Sequence, residues 1–454
     1  MIVKFSVENW KSFRNQATLS MVASRERQHG ERVPKLTKYR TRVLPIAVLY
    51  GGNASGKSNF FEALRFAERL VVEGTRPDQE IPVEPFRLDP NQERQPSRFC
   101  FELLIDETIY ELSFAVTSDK VLEEKLVKIG ATTETVLYDR RDRKIDFYPP
   151  LTLKEKEKDR FLDFAFRGTR DNQLFLTNSV SQKVEHFRPV YDWFAKQLTL
   201  VGPETGFTGW GKYFDGEDPR LSILEEWLSR LDTGIARLEW EEEEFQSYPM
   251  APEFKRMVEE KAKGGETVRL PDRTLVSFEG GKFVAKRLVT YHPRADGNEV
   301  KFKLMEESAG SQRVVDLLPA FLDLSGEGSR RVFVIDELDR SLHPLLTRRL
   351  LEAYLGSCST QSRAQLLLTT HDLLLMDQEL LRRDEIWVTE RDGSGASDLF
   401  SFSEYEDVRY DKDIRKSYLQ GRLGGIPRIL WCGALASRSL SAEQEGEEKG
   451  KDGL

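Results

Sequence analysis

Gly51-Gly52-Asn53-Ala54-Ser55-Gly56-Lys57-Ser58, followed by Asn59, decides how this chain is read. The stretch fits the pattern G-x-x-x-x-G-K-[ST]. Before it stands the apolar run 45–50 (PIAVLY), and after it Phe60, Leu64, Ala67 and Val71 recur at helical spacing. The spacing predicts a strand, a glycine-rich turn and a helix. Glycines let successive backbone amides turn toward one anion, and the helix N-terminus adds unpaired donors. Residues Gly51 through Asn59 are therefore expected to cradle the phosphates of a nucleoside triphosphate. Lys57 is expected to reach the β and γ phosphates, and the Ser58 hydroxyl to coordinate magnesium.

A second stretch complements the first. Val332-Phe333-Val334-Ile335 predicts a buried strand, from whose C-terminal end Asp336 and Glu337 emerge. Asp336 is expected to hold a magnesium-bound water, and Glu337 to polarise the attacking water. Leu366-Leu367-Leu368 predicts the next strand, ending in Thr369-Thr370-His371-Asp372. His371, mostly neutral near pH 7, is placed to sense a γ phosphate. Lys57, Glu337 and His371 are the candidate catalytic set, and Ser58 and Asp336 the candidate metal ligands.

Outward from these motifs the chain is uneven. Residues 1–20 alternate as paired strands, and 24–42 read as a basic loop. The stretch 99–116 predicts a hairpin about Asp106-Glu107, with strands at 121–129 and 135–138. Helices are expected over 153–166, 190–198 and 221–231, and the charged stretch 239–263 is expected to be a helix or a mobile arm. Strands return at 275–283 and 288–291. Helices and strands then alternate over 314–389, the pattern of a mostly parallel sheet. No heptad pattern is sustained long enough for a long coiled coil. The last residues, 441–454, have almost no apolar content and predict disorder.

Composition sets limits. The 454 residues carry 68 Lys plus Arg against 76 Asp plus Glu, a net charge of −8, so nucleic-acid contact would need a local patch. The better such patch is Arg25, Arg27, Arg32, Lys35, Lys38, Arg40 and Arg42. A second basic set, Arg409, Lys412, Arg415, Lys416, Arg422 and Arg428, lies among Glu404, Glu406, Asp407, Asp411 and Asp413 and reads better as a solvated or protein-binding face. Cys100, Cys358 and Cys432 are too far apart to predict a disulfide framework or a zinc site. No apolar run reaches a membrane span or a signal peptide, so the expected compartment is the cytoplasm.

With these motifs assembled, the chain resembles ATP-binding-cassette ATPases of the chromosome-maintenance and recombination-repair type, and among them the compact AAA_15 and AAA_21 families. Val7-Glu8-Asn9-Trp10-Lys11-Ser12-Phe13 resembles their opening strand and turn. Asp336-Glu337-Leu338-Asp339-Arg340-Ser341-Leu342-His343-Pro344 resembles their acidic strand end and the loop after it, and His371 their switch histidine. The resemblance implies an α/β fold: an ABC-type P-loop core interrupted by an inserted α+β region, without a long coiled coil. It divides the chain into 1–94 (first part of the core), 95–284 (insertion for oligomerisation or partner binding), 285–430 (second part) and 431–454 (tail). It also implies ATP and Mg2+ as cofactors, and hydrolysis of ATP to ADP and phosphate. The signature loop departs from the family's Leu-Ser-Gly-Gly-Gln: here it reads Glu307-Ser308-Ala309-Gly310-Ser311-Gln312. Ser308 and Gly310 would still grip a γ phosphate bound by a second subunit. No Q-loop glutamine is assigned.

The segment Tyr418-Leu419-Gln420-Gly421-Arg422, followed by Gly424-Gly425-Ile426-Pro427, is similar to the ends of ATPases of the PARIS anti-phage systems, the AriA family. That resemblance implies a homo-oligomer larger than a dimer with composite ATP sites, holding a separate Toprim-like effector nuclease (AriB-like). A phage-encoded trigger protein would release or activate the effector. The alternative expectation is a DNA-binding repair or structural-maintenance ATPase. A third is a nucleotide-gated structural protein with negligible turnover. No nuclease centre is recognisable in the residues after His371.

Overall fold

The runs Ile46–Gly51, Val332–Ile335 and Gln365–Thr369 are buried along their whole lengths. Strands apolar on both faces need cover on both faces, which is the condition of a parallel sheet inside an α/β protein. The computed structural model describes residues 1–149, 151, 156–203, 219–405, 414–421 and 424–425. Among these residues six strands form a central sheet in the order Leu198–Val201, Val332–Ile335, Gln365–Thr369, Ile46–Gly51, Ile386–Arg391, Ser397–Ser401. All neighbours are parallel except the last pair. The strand before His371 thus lies between the strand before the phosphate loop and the strand before Asp336.

Alternate residues face two separate cores. Ala47, Leu49, Val334 and Leu367 join the core that contains the helix Lys57–Val72. Ile46, Val48, Phe333, Ile335, Leu366 and Leu368 join the core under the helices Ala309–Ser325 and Pro344–Ser357. On the first side the helix Lys57–Val72 packs against a seven-stranded antiparallel sheet built from Ile2–Glu8, Ala17–Ser20 and five strands between Ser97 and Phe147. Phe5, Phe60 and Phe101 meet ring to ring there, with Trp10 on Phe66 and Phe99. Each such side chain contributes on the order of 1.5–3 kcal/mol by burial, so the phosphate-loop helix has a rigid seat. Asp106 and Glu107 turn the expected hairpin with φ of +46° and +58°, as a two-residue turn requires.

A third sheet, of five strands, spans residues 237–303. Here the chain departs from expectation. Glu241 to Glu244 lie on a strand, Arg237–Glu244, paired antiparallel with Lys282–Pro293. Cations on distant strands make this possible: Lys301 meets Glu241 at 2.6 Å and Arg287 meets Glu243 at 2.6 Å. The helix of the charged stretch starts later, at Pro252–Lys263. The expected helix over 190–198 is also broken. It runs as Arg188–Asp192, widens to a π turn at Trp193–Gln197, and gives way to the edge strand Leu198–Val201. Among the described residues the longest helix has 17 residues, so no long coiled coil is present. No helix of the described residues is long and apolar enough to cross a membrane.

Residues 24–42 are less loop-like than expected. They carry two short paired strands, Lys35–Leu36 and Thr41–Arg42. Arg25, Arg27, Lys35, Lys38, Arg40 and Arg42 are exposed, but Arg32 is buried against Glu385 at 2.5 Å and leaves the basic patch. Arg409, Lys412, Arg422, Arg428, Glu406, Asp407, Asp411, Asp413 and Cys432, with the expected tail at 431–454, lie outside the described residues.

Candidate functional site

Because the three motif-bearing strands are adjacent and parallel, their C-terminal ends open on one edge of the sheet, where ligands of such folds bind. A cleft of about 290 Å³ lies there, lined by Asn53, Ala54, Ser55, Gly56, Lys57, Ser58, Asn59, Glu337 and His371. The structure therefore brings all three candidate catalytic side chains to one place.

The loop is held by packing that allows only glycine at two points. A Cβ on Gly51 would lie 2.5 Å from Thr389 O, and one on Gly56 2.7 Å from Ser397 Oγ. Their φ values are +151° and +114°. Gly56 lies directly before the helix Lys57–Val72 and Ser58 within its first turn. Ser58 is exposed and Lys57 is buried. The Lys57 ammonium donates to the carbonyls of Gly51 at 2.9 Å and Gly52 at 3.1 Å. Burial holds its pKa below the ordinary lysine value, and Asp336, Glu337 and Asp339 pull the other way.

Asp336 is 3% exposed, which demands partners. Thr369 supplies one: its hydroxyl donates to Asp336 Oδ1 at 2.5 Å and accepts from the Glu337 amide at 2.8 Å. One hydroxyl thus fixes both acids. Glu337 takes φ +50°, a left-handed turn that bends the chain as it leaves the strand. Arg313 donates to Gly202 O at 3.2 Å, reaching the end of the neighbouring strand. The Ser58 hydroxyl and the half-buried Glu337 carboxylate line the cleft, and the buried Asp336 directly precedes Glu337; oxygen donors of this kind are what a hard divalent cation takes.

His371 lines the cleft, and its backbone is tied to the loop after Glu337. Its amide donates to the Asp339 carboxylate at 3.3 Å. Burial and the nearby Lys57 ammonium hold its imidazole pKa below the ordinary histidine value. That shift favours the neutral ring, which carries one donor and one acceptor.

Ser308 and Gly310 do not line this cleft. Ser308 is exposed and caps the helix Ala309–Ser325, accepting from the Ser311 amide at 3.1 Å. Gly310 packs on the loop after the acidic strand, where a Cβ would lie 2.9 Å from Ser341 O. Two residues that matter were not singled out from sequence, Thr369 and Thr389. Thr389 hydrogen-bonds Ser55 of the loop at 2.6 Å. Each is a β-branched hydroxyl at or near the C-terminal end of an apolar strand adjoining a motif strand, a readable signal.

A family model described as "AAA domain, putative AbiEii toxin, Type IV TA system" matches residues 46–377. The chain belongs to this family, AAA_21. The matched span runs from the phosphate-loop strand to beyond His371, so every cleft residue named above lies within it. Solved structures also overlap loosely. The SMC head domain from Thermotoga maritima covers 88% of this chain and 98% of its own, at 13% identity and TM-score 0.32. The Smc head domain with a coiled coil and joint from Pyrococcus yayanosii covers 92% and 99%, at 12% identity and TM-score 0.34. An SmcHead bound to the C-winged helix domain of ScpA covers 88% and 97%, at 12% identity and TM-score 0.38. No curated protein matches significantly.

Proposed function

We propose that this AAA_21 chain binds and hydrolyses ATP, and that its nucleotide state holds or releases a separate effector. The convergence of Lys57, Glu337 and His371 on one cleft, beside an Asp336 locked by Thr369, carries the reading. Lys57 would neutralise the β and γ phosphates, and the loop amides would receive their oxygens. Ser58 and Asp336 would hold Mg2+, which offsets triphosphate charge. Glu337 accepts a proton as the water oxygen bonds to the γ phosphorus. The bond from that phosphorus to the bridging oxygen breaks, ADP leaves, and the proton passes to phosphate or solvent. Neutral His371 donates to a γ oxygen. Ser308 and Gly310, exposed or half-exposed outside the chain's own cleft, would complete the site of a second copy in a homo-oligomer.

The proposed defence role rests on the family's description and on a sequence resemblance. The family's description names a toxin–antitoxin system, and the segment from Tyr418 to Gly425 is similar to that of PARIS-type ATPases. The effector would be a Toprim-like nuclease, and a phage-encoded protein would trigger its release. The exposed Arg25, Arg27, Lys35, Lys38, Arg40 and Arg42 favour the second reading, a DNA-binding repair ATPase. Phosphate release with and without DNA, beside pull-down of the product of the neighbouring gene, separates them. DNA stimulation without effector binding would overturn the first reading.

A further inference from the structure

The segment from Tyr418 to Gly425 attracts notice in the sequence, yet the chemistry above does not use it. In the fold it touches the phosphate loop. The Gly52 amide donates to Gly425 O at 3.0 Å, and the Tyr418 hydroxyl donates to the same carbonyl at 2.8 Å. Tyr418 is 5% exposed and Ile414, at the start of the same short helix, 2%, so this helix is pinned.

Both glycines sit in left-handed backbone at a close approach to the neighbouring strand. Gly424 and Gly425 have φ of +66° and +71°. A Cβ on Gly425 would run into Val388 Cγ1, and one on Gly424 into the end of the Glu390 side chain. Val388 and Glu390 belong to the strand that pairs with the phosphate-loop strand, Val388 opposite Tyr50. The close approach thus presses the Gly425 carbonyl against the loop.

One peptide unit links this contact to Lys57. The Gly52 N–H and the Gly51 carbonyl are two ends of the same planar group. Gly425 holds the first end, and the Lys57 ammonium donates to the second at 2.9 Å. From the other side Thr389 holds Ser55 at 2.6 Å. A glycine-rich loop loses much conformational entropy when it orders around phosphate, and prior fixing reduces that cost.

We infer that Tyr418 and the Gly424-Gly425 pair form a strap that pre-orders the phosphate loop, with Gly425 and Tyr418 as positioning residues for nucleotide binding. The inference rests on the ATP-binding reading. The test is ATP affinity by titration calorimetry and steady-state phosphate release for the full chain, for K57A and for three strap variants. Y418F keeps the ring and loses one hydrogen bond. Its Kd and KM for ATP should rise roughly 2- to 10-fold, with kcat within about 2-fold of the parent. G425A should weaken ATP binding by more than Y418F, and adding V388A, which removes the clashing methyl, should recover part of the loss. Circular dichroism checks that each variant is folded. Parental or tighter affinity in Y418F and G425A, beside a K57A chain that no longer binds, would overturn the strap and leave ATP binding standing. A parent chain that binds no ATP overturns both.

Discussion

The central parallel sheet and the five-stranded sheet of residues 237–303 hold themselves together by different means. In the first, Val332–Ile335 and Gln365–Thr369 are buried throughout, and the polar atoms that matter appear only at the strand ends. In the second, Glu299–Lys303 is exposed along its whole length; Leu238, Leu275 and Leu288 reach the large core, and a small cluster of Phe245, Val258, Leu270, Val276 and Ala285 lies apart from it. Its strands meet through charge pairs: Glu241 with Lys301, Glu243 with Arg287, Arg237 with Glu299. Solvated pairs contribute little each and are screened by salt. The comparison teaches where precision is kept. The candidate site rides on the three central strands that are buried along their whole lengths, and the charged sheet keeps one strand fully in solvent.

The largest contrast should come from two lysines. K57A is expected to lower ATP affinity by roughly 100-fold or more, because it removes the charge that meets the β and γ phosphates. K301A, on the exposed sheet, should leave affinity within about 2-fold, since its ion pair lies at the surface. Calorimetric titration of both variants checks this. Equal losses would mean that the charged sheet takes part in nucleotide binding.

Next in size is stability. T369V removes the donor to buried Asp336 and the acceptor of the Glu337 amide. It should cost about 1–3 kcal/mol in urea unfolding. E243Q, at a part-exposed pair, should cost under about 1 kcal/mol. If E243Q proves the more damaging, the charged sheet is a structural keystone and the comparison fails.

The same division governs what the sequence could reveal. The phosphate loop, the acidic strand end and His371 were legible because each follows an apolar run whose burial is dictated locally. Their meeting in one cleft follows from strand order, which the alternation of strands and helices foreshadowed. The strand at Glu241 to Glu244 was not legible, because four consecutive glutamates form a strand only when Lys286, Arg287 and Lys301 stand opposite or nearby. Those partners lie more than forty residues on in the chain. The edge strand Leu198–Val201 was hidden for a related reason: the helical periodicity of 190–198 continues into it through the π turn at Trp193–Gln197. Thr369 was visible but unweighted, since its role depends on a neighbouring strand.

Salt should sharpen the contrast more gently. In hydrogen exchange, raising NaCl to about 0.5 M should speed exchange in Arg237–Glu244 and Glu299–Lys303 while leaving Val332–Ile335 unchanged. The smallest expected effect is on a single proton. The His371 imidazole should titrate below the ordinary histidine value, so acidification through that lowered pKa charges it and works against the folded site. Replacing Lys57 by Ala removes a repelling charge and should move the His371 pKa upward, as followed by NMR of the imidazole. An unchanged value would place the two groups further apart in solution than in the cleft.

The central claim is that Glu337 acts on water in a cleft that Lys57 and Asp336 prepare for ATP. The direct measurement is ATP binding beside phosphate release in the parent chain and in E337Q, which keeps shape and loses the proton acceptor. The account predicts near-parental ATP affinity with phosphate release reduced by roughly 100-fold or more. Parental turnover in E337Q would contradict it.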